Sequence, residues 1–281
     1  MPEITLPHGT LHYREAGPAD GPPVVFVHGF LVDGTLWSAV ADDLASRGMR
    51  ALAPDWPLGA HRHPLAPGAD RSPRGLASMI AAFLAALELE RVTLVGNDTG
   101  GALCQFLLDT DASRVGALVL TNCDAFDVFP PRPFDLLFKV ARRPGLARAL
   151  MLPARLAWLR HSLLAFGPLV KRPLDPVQTR GWIEPYLTNA AIRRDVQAFC
   201  RAVDPRELLD VSTRLDRFDG PVKLCWAPED RFFRIELAQR LLERFRVARL
   251  VEVPDSRTFV PHDQPARLAD EILELAGVGV A

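Results

Sequence analysis

One carboxylate stands where the residues around it call for a nucleophile. In the stretch VTLVGNDTGGALCQFLL, Val92 to Leu108, apolar and β-branched residues lead into Gly96-Asn97-Asp98-Thr99-Gly100 and then into an amphipathic run. This fits the strand–tight turn–helix pattern Gly-x-nucleophile-x-Gly, with Asp98 where Ser is usual. The exchange alters the chemistry on offer. A carboxylate with a reference pKa of about 3.9 is ionised at neutral pH and attacks without a general base. At a saturated carbon it opens an epoxide or displaces a halide and becomes an alkyl ester. Releasing that ester requires water to attack the Asp carboxyl carbon, with amides to hold the oxyanion and a His base oriented by an acid.

The elements that must position Asp98 are legible as alternating apolar strands and amphipathic helices. Glu3–Leu6 and Thr10–Glu15 suggest an antiparallel edge. Strands are predicted at Pro23–Val27, Arg50–Ala53, Val92–Val95 and Ala117–Leu120, with helices at 36–46, 74–87 and after Asp98. Continuous apolar strands separated by helices indicate a mostly parallel sheet covered on both faces. The alternation breaks after Cys123. Eight prolines between Pro130 and Pro176 separate short helical patches such as 145–152 and 190–203, which predicts a helical lid inserted on the sheet. The sheet pattern resumes with a strand at Val222–Trp226, a helix at 235–245, a strand at Arg249–Val253 and a last helix at 266–275. The expected division is a core of residues 1–127 and 221–281 with a lid of 128–220.

Bulk properties narrow the function classes. The 281 residues are 48% apolar and 24% charged, with net charge −1, so a nucleic-acid partner is not expected. The charge is unevenly spread: residues 128–220 hold 16 Lys+Arg against 9 Asp+Glu. A basic lid can attract anions or a membrane surface, and a solvated helical face explains it equally well. The first twenty residues lack the apolar run of a secretory signal, and the apolar stretch 75–87 is too short to span a bilayer. Cys104, Cys123, Cys200 and Cys225 are scattered, with no C-x-x-C pair. Buried free thiols in a cytoplasmic protein are the expectation. His61 and His63 lack a third ligand, so no metal is expected, and no cofactor is implied.

Order and content together resemble the α/β-hydrolase superfamily over nearly the whole chain. Val25-Phe26-Val27-His28-Gly29-Phe30 is similar to its strand-end His-Gly motif, some seventy residues before the elbow. The resemblance implies an oxyanion hole made by the Phe30 and Thr99 amides, with His28 beside the substrate. Asp at the elbow resembles the epoxide hydrolase and haloalkane dehalogenase branches. Asp230, after the strand Val222–Trp226, matches the family's acid. Asp124 is the alternative acid position, and Asp124 and Asp127 also read as capping or loop carboxylates. The family's base lies in a loop after the last strand. Here that loop is Pro254-Asp255-Ser256-Arg257-Thr258-Phe259-Val260-Pro261-His262-Asp263-Gln264-Pro265. Aligning Phe259 and Pro265 with the family's aromatic and proline puts Thr258 in the histidine slot. His262, beside the expected N-cap Asp263, is the remaining candidate for the base.

Two further departures bear on activity. Haloalkane dehalogenases carry Trp after the nucleophile, where this chain has Thr99. Epoxide hydrolases carry Pro two residues after the His-Gly glycine and two lid tyrosines. Here Leu31 and a single lid tyrosine, Tyr186, stand instead. Trp182 and Tyr186, four apart, are candidates for one substrate-facing helical side. The expected function is an Asp-nucleophile hydrolase acting on epoxide, carbon–halogen or related bonds of a small apolar molecule. The alternatives are an isomerase, lyase or cyclase on the same fold, or a ligand-binding homologue without turnover, because Thr258 takes the histidine slot.

Overall fold

The computed structural model describes residues 2–277. β1 (Glu3–Leu6) and β2 (Gly9–Ala16) pair antiparallel, and β2 pairs antiparallel again with an inner strand. The chain then alternates: β3 (Pro23–Val27), α1 (Ser38–Ser46), β4 (Arg50–Pro54), α2 (Pro73–Ala86), β5 (Val92–Asp98), α3 (Thr99–Thr110) and β6 (Val115–Cys123). A helical excursion follows, comprising α4 (Phe134–Ala141), α5 (Pro144–Met151), α6 (Ala157–Arg160), α7 (Pro176–Thr188), α8 (Ala190–Ala202) and α9 (Pro205–Ser212). The sheet is completed by β7 (Val222–Trp226) and β8 (Ala248–Glu252), with α10 (Ile235–Leu242), α11 (Val260–Asp263) and α12 (Pro265–Ala276) interleaved.

The eight strands lie in the order β1-β2-β4-β3-β5-β6-β7-β8, parallel from β4 onward. This is the α/β fold expected from the alternation, with an inserted helical region as a lid. Val24, Val25, Phe26, Leu94 and Val95 in the central strands are wholly buried. Full burial of each such side chain contributes about 1.5–3 kcal/mol, so the sheet centre is a main part of the core. β5 ends there, at Asp98.

Several boundaries and roles differ from the sequence expectation. Leu36 starts no α-helix, because Gly34–Trp37 forms a 3₁₀ turn capped by the Asp33 carboxylate before α1 begins. Pro205 and Pro176 initiate helices α9 and α7, their missing N–H groups being harmless at a first turn. Asp263 is no N-cap. It ends α11, and Gln264 precedes α12. Its carboxylate instead accepts from the backbone amides of Lys171, Arg172 and Arg257, each at 2.9–3.0 Å, fastening the lid's return to the loop after β8.

Two more buried polar contacts fasten the lid. Trp182 Nε1 donates to Asp33 Oδ1 (3.0 Å) and Thr35 Oγ1 (2.8 Å). Asp195 of α8 accepts from Arg71 Nε (2.6 Å) and the Leu65 amide (2.9 Å), with His61 Nε2 at 3.5 Å. Burial of these groups is affordable only because each has a partner.

Candidate active site

Asp98 sits at a backbone position forced by its neighbours. Its φ of 53° and ψ of −130° place a non-glycine residue at positive φ, strain of order 1–3 kcal/mol that the surrounding packing must hold. Two glycines allow the turn to close. A Cβ on Gly29 would stand 2.0 Å from Asp98 Oδ2, and one on Gly100 would stand 2.1 Å from the Val27 carbonyl oxygen. The β3 and β5 turns therefore interlock with no room for another atom.

In this setting the Phe30 N–H donates to Asp98 Oδ2 at 3.1 Å. The Thr99 amide, at the start of α3, adds its stabilisation to the anion. Burial works the other way and dominates. It pushes the Asp98 carboxyl up to about 7, against the Phe30 and Thr99 amides, with the charge of Asp230 adding to the rise. At neutral pH this acid is half-ionised rather than permanently charged.

Asp98 and Thr99 open into a cavity of about 540 Å³ between the sheet and the lid. Its walls are mainly apolar, including Phe30, Leu137, Phe138, Met151 and Phe166; Arg160 and Ser162 add polarity on the lid side. Arg160 is nearly fully buried, and no carboxylate compensates it. Its guanidinium donates to Thr179 Oγ1 and to the carbonyl oxygens of Ala154, Arg155 and Pro176. No sequence pattern singled it out, since a lone Arg in a basic segment reads as surface.

Two further carboxyls lie close. Asp124, just after β6, is fully buried, and neither of its oxygens has a hydrogen-bond partner. Burial, reinforced by Asp98, pushes it well above its usual carboxylate value. Its backbone N–H donates to the Asp98 carbonyl (3.3 Å), and its own carbonyl accepts from Gln105 Nε2 (2.8 Å). Asp230, after β7, accepts from the Phe232 amide (2.8 Å) through Oδ1, while Oδ2 has no partner. Burial raises it to about 6, opposed chiefly by the Phe232 amide and the Thr258 hydroxyl.

Thr258 is the residue that faces Asp230. It is fully buried, its hydroxyl lies against the Asp230 carboxyl, and its carbonyl accepts from Asn97 Nδ2 at 2.7 Å. Asn97, directly before the elbow residue, also donates to Thr121 Oγ1 (2.8 Å), and so ties the loop after β8 to the ends of β5 and β6. Asn122 does the same for the acid loop, accepting from the Ala227 amide (2.7 Å) and donating to the Phe233 carbonyl.

The remaining sequence candidates lie elsewhere. His262 is at the protein surface in α11, its Nε2 3.3 Å from the Arg172 carbonyl oxygen, and it does not line the cavity. Its loop cannot swing freely, because Asp263 next to it is held by three backbone amides. His28 is buried behind the amide pair. Its Nε2 accepts from the Trp56 amide (2.8 Å), which leaves Nδ1–H to donate to the Gly29 carbonyl (2.9 Å). Burial lowers it to about 4, so it is a neutral brace for the turn. Trp182 and Tyr186 do share α7, but neither lines the cavity. Trp182 serves the lid fastening above, and burial pushes the Tyr186 phenol up to about 12. No His lines the cavity among the described residues.

Comparison with known proteins shows the family and the fold. The sequence profile of the Alpha/beta hydrolase family matches residues 24–271. Haloalkane dehalogenase 2 of Mycobacterium tuberculosis is 28% identical over 289 residues, covering 96% of this chain and 92% of the relative. Among solved structures, a putative ancestral haloalkane dehalogenase superposes with a TM-score of 0.78 at 20% identity, covering 99% of this chain and all of the other. The epoxide hydrolase CorEH gives the same TM-score and identity, covering 98% of each chain.

Proposed function

This chain belongs to the alpha/beta hydrolase family, and from that premise we propose that it takes an electrophilic carbon of a small apolar molecule onto Asp98. The supporting observation is the carboxylate itself: one oxygen rests on the Phe30 amide while the group opens into an apolar cavity. Once ionised, Asp98 attacks the carbon through its other oxygen. A carbon–oxygen or carbon–halogen bond breaks, the electron pair leaves on oxygen or halide, and an alkyl ester remains on Asp98. The carbon–halogen bond is the better match, because an epoxide oxygen must gain a proton and Tyr186 does not reach the cavity. Arg160 and Ser162 are the donors on the side of the departing halide.

Hydrolysis of the ester is the slow half of the cycle in this reading. The Phe30 and Thr99 amides remain to hold an oxyanion, and Asp230 remains as an acid. With Thr258 beside it, the attacking water has no imidazole to take its proton, so the ester accumulates. A second reading rests on the Asp98 carboxyl titrating near neutrality beside the cavity, with the buried Asp124 carboxyl close to it. Asp98, which of the two is the one lining the cavity, can pass a proton to and from a substrate carbon, which is isomerase or lyase chemistry without an ester.

Intact-mass measurement during incubation with a panel of alkyl halides and epoxides separates the two. The first reading expects one alkyl group per chain, mapped to Asp98, absent in Asp98→Asn, and formed faster than product. Solvent deuterium entering a ligand without any adduct would support the second. Neither adduct nor turnover across the panel would remove Asp98 as a nucleophile toward these electrophiles.

A further inference from the structure

The lid carries a surface that the chemistry at Asp98 does not use. Between residues 132 and 164 the chain exposes Leu136, Leu150, Leu156, Trp158, Leu163 and Leu164, with Trp158 69% and Leu164 93% accessible. Outside the lid, only Val247 is a comparably exposed large hydrophobic among the described residues. Isolated exposed leucines need no explanation, but their concentration in one segment does. The same segment is strongly basic. Arg132, Lys139, Arg142, Arg143, Arg148 and Arg155 are exposed in it, and Asp135 is its one acidic residue. The rest of the molecule is net acidic, since the chain as a whole is at −1.

We propose that this face of the lid docks on an anionic lipid surface. Apolar side chains flanked by Lys and Arg, on short helices that lie across the molecule rather than through a bilayer, suit the boundary between headgroups and acyl chains. No helix among the described residues is long and apolar enough to cross a membrane; the contact is peripheral. Charge decides the lipid, because a segment with a single acid seats on phosphatidylglycerol-like headgroups and gains nothing from neutral ones. The patch also meets the cavity. Leu136, Leu150 and Leu164 are at once exposed and part of the cavity wall, so a lipid-dissolved molecule can pass from the surface toward Asp98 without crossing water. The docking does not depend on Asp98 reacting.

The protein carries its own reporter. Trp37, Trp56, Trp182 and Trp226 are fully buried, leaving Trp158 as the exposed indole. The full chain is titrated with vesicles of phosphatidylcholine alone and of phosphatidylcholine with 30% phosphatidylglycerol, following Trp emission and co-sedimentation. Anionic vesicles are expected to blue-shift the emission and sediment the protein. Neutral vesicles should bind at least tenfold more weakly, and 0.5 M salt should weaken binding to the anionic ones. Leu163→Ser with Leu164→Ser should weaken partitioning at least tenfold. Arg143→Glu with Arg148→Glu and Arg155→Glu should abolish the preference for anionic lipid. All five positions are exposed, and unchanged circular dichroism confirms folding. The proposal is overturned if anionic vesicles do not bind, or if both variant sets bind as the parent does. It is also overturned if Trp158 is already blue-shifted in a concentration-dependent dimer without lipid, which would make a second copy the occupant.

Discussion

The two sides of the site differ in how their atoms are held. On the elbow side, Asp98 is fixed by backbone: a positive φ, two glycines without room for a Cβ, and the Phe30 amide on Oδ2. On the release side, Asp230 and Thr258 meet through their side chains, the Thr258 hydroxyl set against the Asp230 carboxyl. Attack geometry is thus written into the chain path, while release depends on one side chain that can change without disturbing the path.

Thr258→His tests that contrast most strongly. An imidazole at 258 would meet the Asp230 carboxylate through Nδ1–H and present Nε2 toward Asp98. General-base assistance contributes about 10²–10⁴-fold, so the Asp98 ester should be released faster by that order, followed as loss of adduct mass after excess halide is removed. Thr258→Ser should leave the ester lifetime unchanged, as should His262→Ala. An unchanged lifetime in a folded Thr258→His protein would mean that position 258 does not address the ester. On the elbow side, Gly29→Ala places a methyl on the Asp98 oxygen. A displacement near 1 Å costs about 10²-fold in rate, and alkylation should fall by at least that much while Thr258 variants alkylate normally.

The contrast also explains what the sequence revealed. Gly96-Asn97-Asp98-Thr99-Gly100 and His28-Gly29-Phe30 were legible because backbone geometry restricts residue type: an elbow needs glycines and apolar strands behind it. The parallel sheet was legible for the same reason. Thr258 was placed by its spacing to Phe259 and Pro265, and it does face Asp230. Side-chain direction left no such trace. Trp182 and Tyr186 share a helix, yet α7 turns them into the lid's own packing. Asp263 read as a helix cap but binds three amides across the lid junction. Asp124 read either as the alternative acid or as a capping or loop carboxylate, and spacing gave no sign that it is buried on all sides. Arg160 left no signal at all, because its partners are backbone carbonyls.

Protonation gives a further handle on the elbow. If Asp98 attacks as the anion, the alkylation rate should follow its ionised fraction, rising with pH and levelling above about 7. Below that value the rate should fall roughly tenfold per pH unit, as for any single ionisation. A profile flat between pH 5 and 8 would show that Asp98 is ionised throughout and that burial does not govern it. Asp124→Asn should leave the plateau in place, because Asp124 does not line the cavity.

The smallest expected effect is on stability, and its sign follows from the same shift. Asp98 titrates near 4 in the unfolded chain and near 7 in the folded one, so the folded state binds the proton more tightly. Stability is therefore full below about pH 4, declines as pH rises toward 7, and is level above. Three pH units correspond to about 4 kcal/mol as an upper bound. The carboxylate faces an open cavity, and solvent screening reduces this to about 1–2 kcal/mol. Asp98→Asn keeps the shape and removes the titration. It should match the parent near pH 4 and exceed it by that margin at pH 8, as read by urea midpoints at both pH values. Asp230 and Asp124 are coupled to Asp98 by charge, so the difference reads Asp98 together with that coupling. A variant no more stable than the parent at pH 8 would mean that the Phe30 and Thr99 amides fully offset the burial of the charge. The elbow would then be an unstrained anion site, and the contrast between its two sides would lie in residue identity alone.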